Sequence, residues 1–99
     1  MITLKHYSPP NGRMTEIEVP GPRPNTPQER WADRFLAEGG WFESETLTTG
    51  QLRMTCCEVV DGEEEDTDEV IEGMFGTSKN VAIALEQLID KMAKRKGYV

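Results

Sequence analysis

Between Glu58 and Glu72 the chain carries nine acids and no lysine or arginine. They are Glu58, Asp61, Glu63, Glu64, Glu65, Asp66, Asp68, Glu69 and Glu72. A stretch charged this densely cannot enter a core, because an unpaired carboxylate loses its hydration on burial. The hydrophobic layer must therefore be assembled from the residues on either side. The chain has 18 acids against 11 bases, a net charge of -7 over 99 residues. Half of the acids lie in this one stretch, which leaves nine against eleven, a net of +2, everywhere else. A near-neutral body bears a single anionic segment.

The flanks alternate between two periodicities. Ile2, Leu4 and His6 interleave with Thr3, Lys5 and Tyr7, the period of a half-buried strand. Ser8-Pro9-Pro10-Asn11-Gly12 is a turn cluster, and Thr15 to Val19 alternates again with Ile17 and Val19 facing inward. Pro20-Gly21-Pro22-Arg23-Pro24 stops that strand, since proline cannot donate to a ladder. A helix starts at once: Thr26 is the cap, Pro27 the first helical residue, and Glu29 closes a capping box. Trp31, Ala32, Phe35 and Leu36 form its buried stripe, and Gly39-Gly40 ends it.

A third strand is expected over Trp41–Leu47, turning at Thr48-Thr49-Gly50, and a fourth from Gln51 to about Val60. Leu52, Met54 and Cys56 share one face of the fourth strand, and Arg53, Thr55 and Cys57 the other. Strict alternation would then put Glu58 inward and Val59 outward, so a bulge is expected near Cys57–Val59. After an acidic turn, Asp68 to Glu72 forms a short fifth strand. Gly73–Ser78 is a loop that delivers a cap at Thr77 or Ser78 to a second helix. Its stripe is Val81, Leu85, Leu88, Ile89 and Met92, and Lys91, Lys94, Arg95 and Lys96 crowd its C-terminal turns, where cations complement the helix dipole.

The order is β-β-α-β-β-β-α. It predicts one α+β domain over residues 1–99, a two-layer sandwich. A mainly antiparallel sheet of four or five strands carries both helices on one face. The longest apolar run is far below the roughly 18 residues of a membrane span, and Met1–Lys5 lacks the charged-then-apolar order of a signal peptide. A soluble, cytoplasmic protein is expected.

Glu45-Thr46-Leu47-Thr48-Thr49-Gly50-Gln51-Leu52-Arg53-Met54-Thr55 resembles a pattern in small uncharacterised phage and prophage proteins of similar length. There an E-x-L-x-T-G hairpin precedes an acidic turn, a loop and a C-terminal helix. The resemblance spans about residues 39–92. It implies a phage accessory origin, hence the host cytoplasm, but no activity and no catalytic residues.

Enzymatic chemistry finds little material. The chain has one histidine and none of the motifs G-x-S-x-G, G-x-x-x-x-G-K-[ST] or H-E-x-x-H. A His6–Cys56 or His6–Cys57 nucleophile requires the first and fourth strands to be neighbours. Adjacent cysteines on a strand point to opposite faces, so Cys56 and Cys57 are expected unpaired, one in the core and one outside. One histidine and two cysteines cannot build a four-ligand zinc site by themselves. From Asp61, oxygen donors recur at calcium-loop spacing, but Asp66 stands where that loop turns on glycine. No cofactor and no metal are expected, and no enzyme.

The anionic segment points instead to a binding protein. Its nine acids are the expected contact set for a host protein with a basic surface, such as a nucleic-acid-binding groove, since closely spaced carboxylates can imitate phosphates. Direct nucleic-acid binding and membrane binding are not expected. The alternative is a small structural or assembly subunit that forms a homodimer through exposed strand edges.

Overall fold

A computed structural model describes residues 1–71 and 77–99. The elements follow the expected order: β1 (Ile2–Ser8), β2 (Arg13–Val19), α1 (Pro27–Ala37), β3 (Trp41–Thr46), β4 (Leu52–Val60), β5 (Glu63–Ile71) and α2 (Ser78–Arg95). The strands form one open sheet in the order β2-β1-β3-β4-β5. Three of its ladders are antiparallel, and β1 pairs with β3 in parallel. That parallel pair follows from α1, which carries the chain from β2 across β1 to its far side.

Both helices pack on one face. Ile2, Leu4, Val19, Phe42, Leu52, Met54 and Cys56 from the sheet meet Trp31, Ala32 and Phe35 of α1. They also meet Val81, Ala84, Leu85, Leu88, Ile89, Met92 and Ala93 of α2. Trp31, Phe35 and Phe42 cluster with ring centroids 5.0–6.1 Å apart. Aromatic pairs at this range add about 0.5–1.5 kcal/mol beyond the area they bury. No helix among the described residues is long and apolar enough to cross a membrane.

The caps are largely as the sequence predicts. Thr26 Oγ1 accepts from the Glu29 N–H at 3.2 Å, while Glu29 Oε1 reaches back one residue past the cap to the Asn25 N–H at 3.0 Å. Thr77 caps α2 by accepting from the Asn80 N–H. The two glycines after α1 have separate reasons. Gly39 has φ +94°, the left-handed C′ conformation, whereas a Cβ on Gly40 would lie 2.3 Å from the Phe35 ring. The pair thus both turns the chain and admits the ring.

Two sequence expectations fail in β4 and β5. No bulge occurs: pairing runs without interruption from Trp41↔Cys57 to Thr46↔Leu52 on one side, and from Leu52↔Ile71 to Val60↔Glu63 on the other. Alternation holds because the helix layer ends near Cys56, so Glu58 does not have to be buried on the helix side, nor Val59 on the other. The acidic turn is also only two residues long. Asp61 (φ +52°) and Gly62 (φ +82°) make a tight hairpin connection, and β5 begins at Glu63 instead of Asp68. The fifth strand was expected to reach Glu72, which lies outside the described residues, as does most of the Gly73–Ser78 loop.

Candidate functional site

β4 outlasts β3. The β3–β4 ladder ends at the Trp41↔Cys57 pair, yet β4 continues through Glu58, Val59 and Val60 with β5 as its only partner among the described residues. At about 3.4 Å per residue, a two-stranded ribbon stands roughly 10 Å beyond the end of β3. It carries Glu58, Asp61, Glu63, Glu64 and Glu65 and no base, with Asp66 at its root opposite Cys57.

The carboxylates do not share one face. Glu58, Glu63 and Glu65 lie on the helix side of the sheet plane, Glu64 and Asp66 on the open side, and Asp61 at the tip. The expectation of a single acidic turn is corrected accordingly, because strand geometry separates neighbouring side chains. The ribbon is only one strand pair thick, however, so both faces belong to the same projection. Glu63, Glu64, Glu65 and Asp66 are exposed, and Val59, 59% exposed, adds apolar surface beside Glu64.

Glu58 differs from the rest. It is half-buried and lines a groove with Trp31, Arg34, Phe35, Lys96 and Tyr98 at the ends of the helices. Among the described residues the ion pairs are Arg34–Glu38, Arg53–Glu45 and Lys94–Asp90, and none takes a ribbon carboxylate. Asp68 and Glu69 belong to β5, but their side chains, like Glu72, lie outside the described residues.

The Cys–His pairing is not assembled. β3 separates β1 from β4, so His6 and Cys56 are two strands apart, roughly 9–10 Å across the sheet. His6 is buried instead against Ser44, 2.7 Å from its Nδ1, with Thr46 Oγ1 3.3 Å from its Nε2. Burial holds the imidazole pKa below its ordinary value and favours the neutral ring. Cys56, under the helices, is pushed up to about 12 by burial and then by the Glu58 charge.

Cys57 corrects the expectation of one buried and one outlying cysteine: both are buried. Cys57 faces away from the helices and is 2% exposed. Its Sγ–H reaches Glu43 Oε2 at 4.0 Å, and Trp41 Nε1–H donates to that same oxygen at 2.6 Å. Burial raises the Cys57 pKa well above its ordinary value, with Asp66, Glu43 and Glu64 adding to the rise. Neither thiol is a nucleophile at neutral pH. The sequence signal that was available for the ribbon is the Asp61-Gly62 dipeptide, a strong short-range hairpin mark; the grouping around Cys57 has no local signal.

No protein-family model, curated protein or solved structure matches the chain.

Proposed function

We propose that the protein is a non-enzymatic binding protein that presents the acidic ribbon to a cationic surface on a protein partner and occludes it. One observation carries this reading: a ribbon of a single charge sign stands clear of an otherwise near-neutral body. Its carboxylates are not engaged by the described lysines and arginines, so they are free to meet charges from outside. Exposed Val59 gives the contact an apolar element that excludes water next to the charges. The resemblance of residues 39–92 to phage accessory proteins adds that the partner is a bacterial host protein and the action a modulation of it.

The test is capture from bacterial lysate at low salt with wild-type protein and with a Glu63→Gln, Glu64→Gln, Glu65→Gln, Asp66→Asn variant. The dissociation constant of the captured partner is then measured over a salt series. A contact set by these charges loses affinity steeply as the screening length falls below roughly 10 Å near 0.1 M salt. The variant binds at least about tenfold more weakly, mainly through a slower association. A partner whose affinity ignores both the salt and the variant overturns the proposal.

The second reading, a structural or assembly subunit forming a homo-oligomer, has one suitable edge. The outer edge of β5 carries the acids and repels a second copy, whereas β2 offers an outer edge with Met14 48% exposed. Light scattering that finds a monomer at all concentrations removes this reading.

A further inference from the structure

We infer that the sheet face opposite the helices is a docking surface for a basic amphipathic helix of a protein partner, and that one side of the ribbon extends it. The inference rests on the ribbon being a contact for a cationic partner, and it adds which side of the ribbon is used. Both helices cover one face of the sheet and leave the other open. Residues opposite one another in register share a face, so the row through Cys57 defines the open side.

Six acids with described side chains lie on that side: Glu16 and Glu18 of β2, Glu43 and Glu45 of β3, and Glu64 and Asp66 of β5. The two bases among them stand opposite acids. Lys5 lies across from both Glu16 and Glu43, and Arg53 pairs with Glu45. The helices, by contrast, carry six bases against four acids. Charge is thus divided between the layers, and the open face is the negative one.

Apolar side chains are set among these acids, which a merely solvated face does not need. Met14 and Val59 are exposed on this side, and Tyr7 and Trp41 are half-buried on it. A hollow among Tyr7, Glu43, Glu45, Arg53 and Thr55 puts a ring beside two carboxylates, of which Arg53 takes one. The stem of a partner's arginine packs on such a ring while its head meets the other acid.

Size and charge select the occupant. Five strands about 4.8 Å apart and about 25 Å long give a projected area of roughly 600 Å², to which side-chain relief adds. A standard protein interface takes about 800 Å² from each partner. Nucleic acid and anionic lipid are repelled, and a second copy brings its own net charge of -7. A helix with arginines flanking an apolar stripe matches both the acids and the apolar residues, and forms a third layer on the sheet.

The test titrates the full-length protein with a synthetic amphipathic helix of about 17 residues, enough to span about 25 Å, with leucines on one stripe and arginines on its flanks. A scrambled peptide of the same composition is the control. The expected dissociation constant is micromolar at about 50 mM salt and rises at least about tenfold by about 200 mM. Glu16→Gln with Glu18→Gln, on the strand furthest from the ribbon, weakens binding about fivefold or more, as does Glu64→Gln with Asp66→Asn. Glu63→Gln with Glu65→Gln, the same charge change on the helix side, weakens it less than about twofold. All three pairs are exposed, and amide chemical shifts report whether each variant stays folded.

No binding, or scrambled peptide binding as tightly, overturns the docking surface. So does a helix-side pair that costs as much as the β2 pair. A loss confined to the two ribbon pairs overturns the sheet face but leaves the ribbon as a contact, which the salt series on the captured partner decides separately. Perturbation of the same sheet amides by duplex DNA or anionic vesicles in the peptide's place, or a dimer that the peptide breaks, assigns the face to another occupant and overturns the proposal.

Discussion

Cys56 and Cys57 are neighbours in the chain and both are buried, but different materials cover them. Cys56 belongs to the layer that includes Phe42, Leu52, Met54 and both helices. Cys57, one residue on, faces away from the helices and lies among Trp41, Glu43, Glu64 and Asp66. One face of the sheet is closed by apolar packing, which depends on shape and volume. The other is closed by polar side chains that reach across from adjacent strands. Equal exposure therefore hides unequal energetics: the helix face carries the stability, and the open face is available for recognition.

The largest effect should come from the helix face. Phe42→Ala removes the ring that meets both Trp31 and Phe35, and a destabilisation of about 3–5 kcal/mol is expected in the denaturant midpoint. The two cysteines sharpen the comparison at a smaller scale. Cys56→Ser places a hydroxyl in an apolar layer, at about 1–3 kcal/mol if it finds no acceptor. Cys57→Ser gives the hydroxyl Glu43 and Asp66 as acceptors and should cost less than about 1 kcal/mol. Equal losses at the two positions would break the distinction between the faces.

His6 provides a pH readout confined to the helix side. Its folded pKa lies below the ordinary 6.5, so the unfolded chain binds the proton first as the pH falls. The His6 contribution to stability is complete above pH 6.5, declines as the pH drops through 6.5 toward the folded pKa, and falls no further below it. Chemical denaturation of wild type and His6→Gln at pH 7.5 and just below pH 6.5 should show a pH slope only in the former. The smallest effect belongs to the ribbon. Neutralising Glu63, Glu64 and Glu65 should shift stability by no more than about 0.5 kcal/mol, as for other exposed positions, while weakening partner binding.

Much of the fold was legible because it is written in local chemistry. Thr26-Pro27 and Gly39-Gly40 bound α1 through backbone groups within a few residues, and the Trp31–Phe35 and Val81–Met92 stripes report their helices directly. The site was legible only as charge. The nine acids were evident, but their concentration hid the Asp61-Gly62 turn and the strand beginning at Glu63. The expected bulge arose from assuming that β4 is covered along its whole length, whereas its last three residues run past β3.

The amino-acid order alone determined the strand and helix sequence, the capped ends, the buried stripes and the segregation of charge, since each depends on residues within a few positions of one another. Only the tertiary structure decided that β1 lies parallel to β3, that β3 separates His6 from Cys56, and that Cys57, Glu64 and Asp66 converge. Those outcomes rest on strand order and register, which pair residues far apart in the chain through backbone hydrogen bonds that any side chain permits.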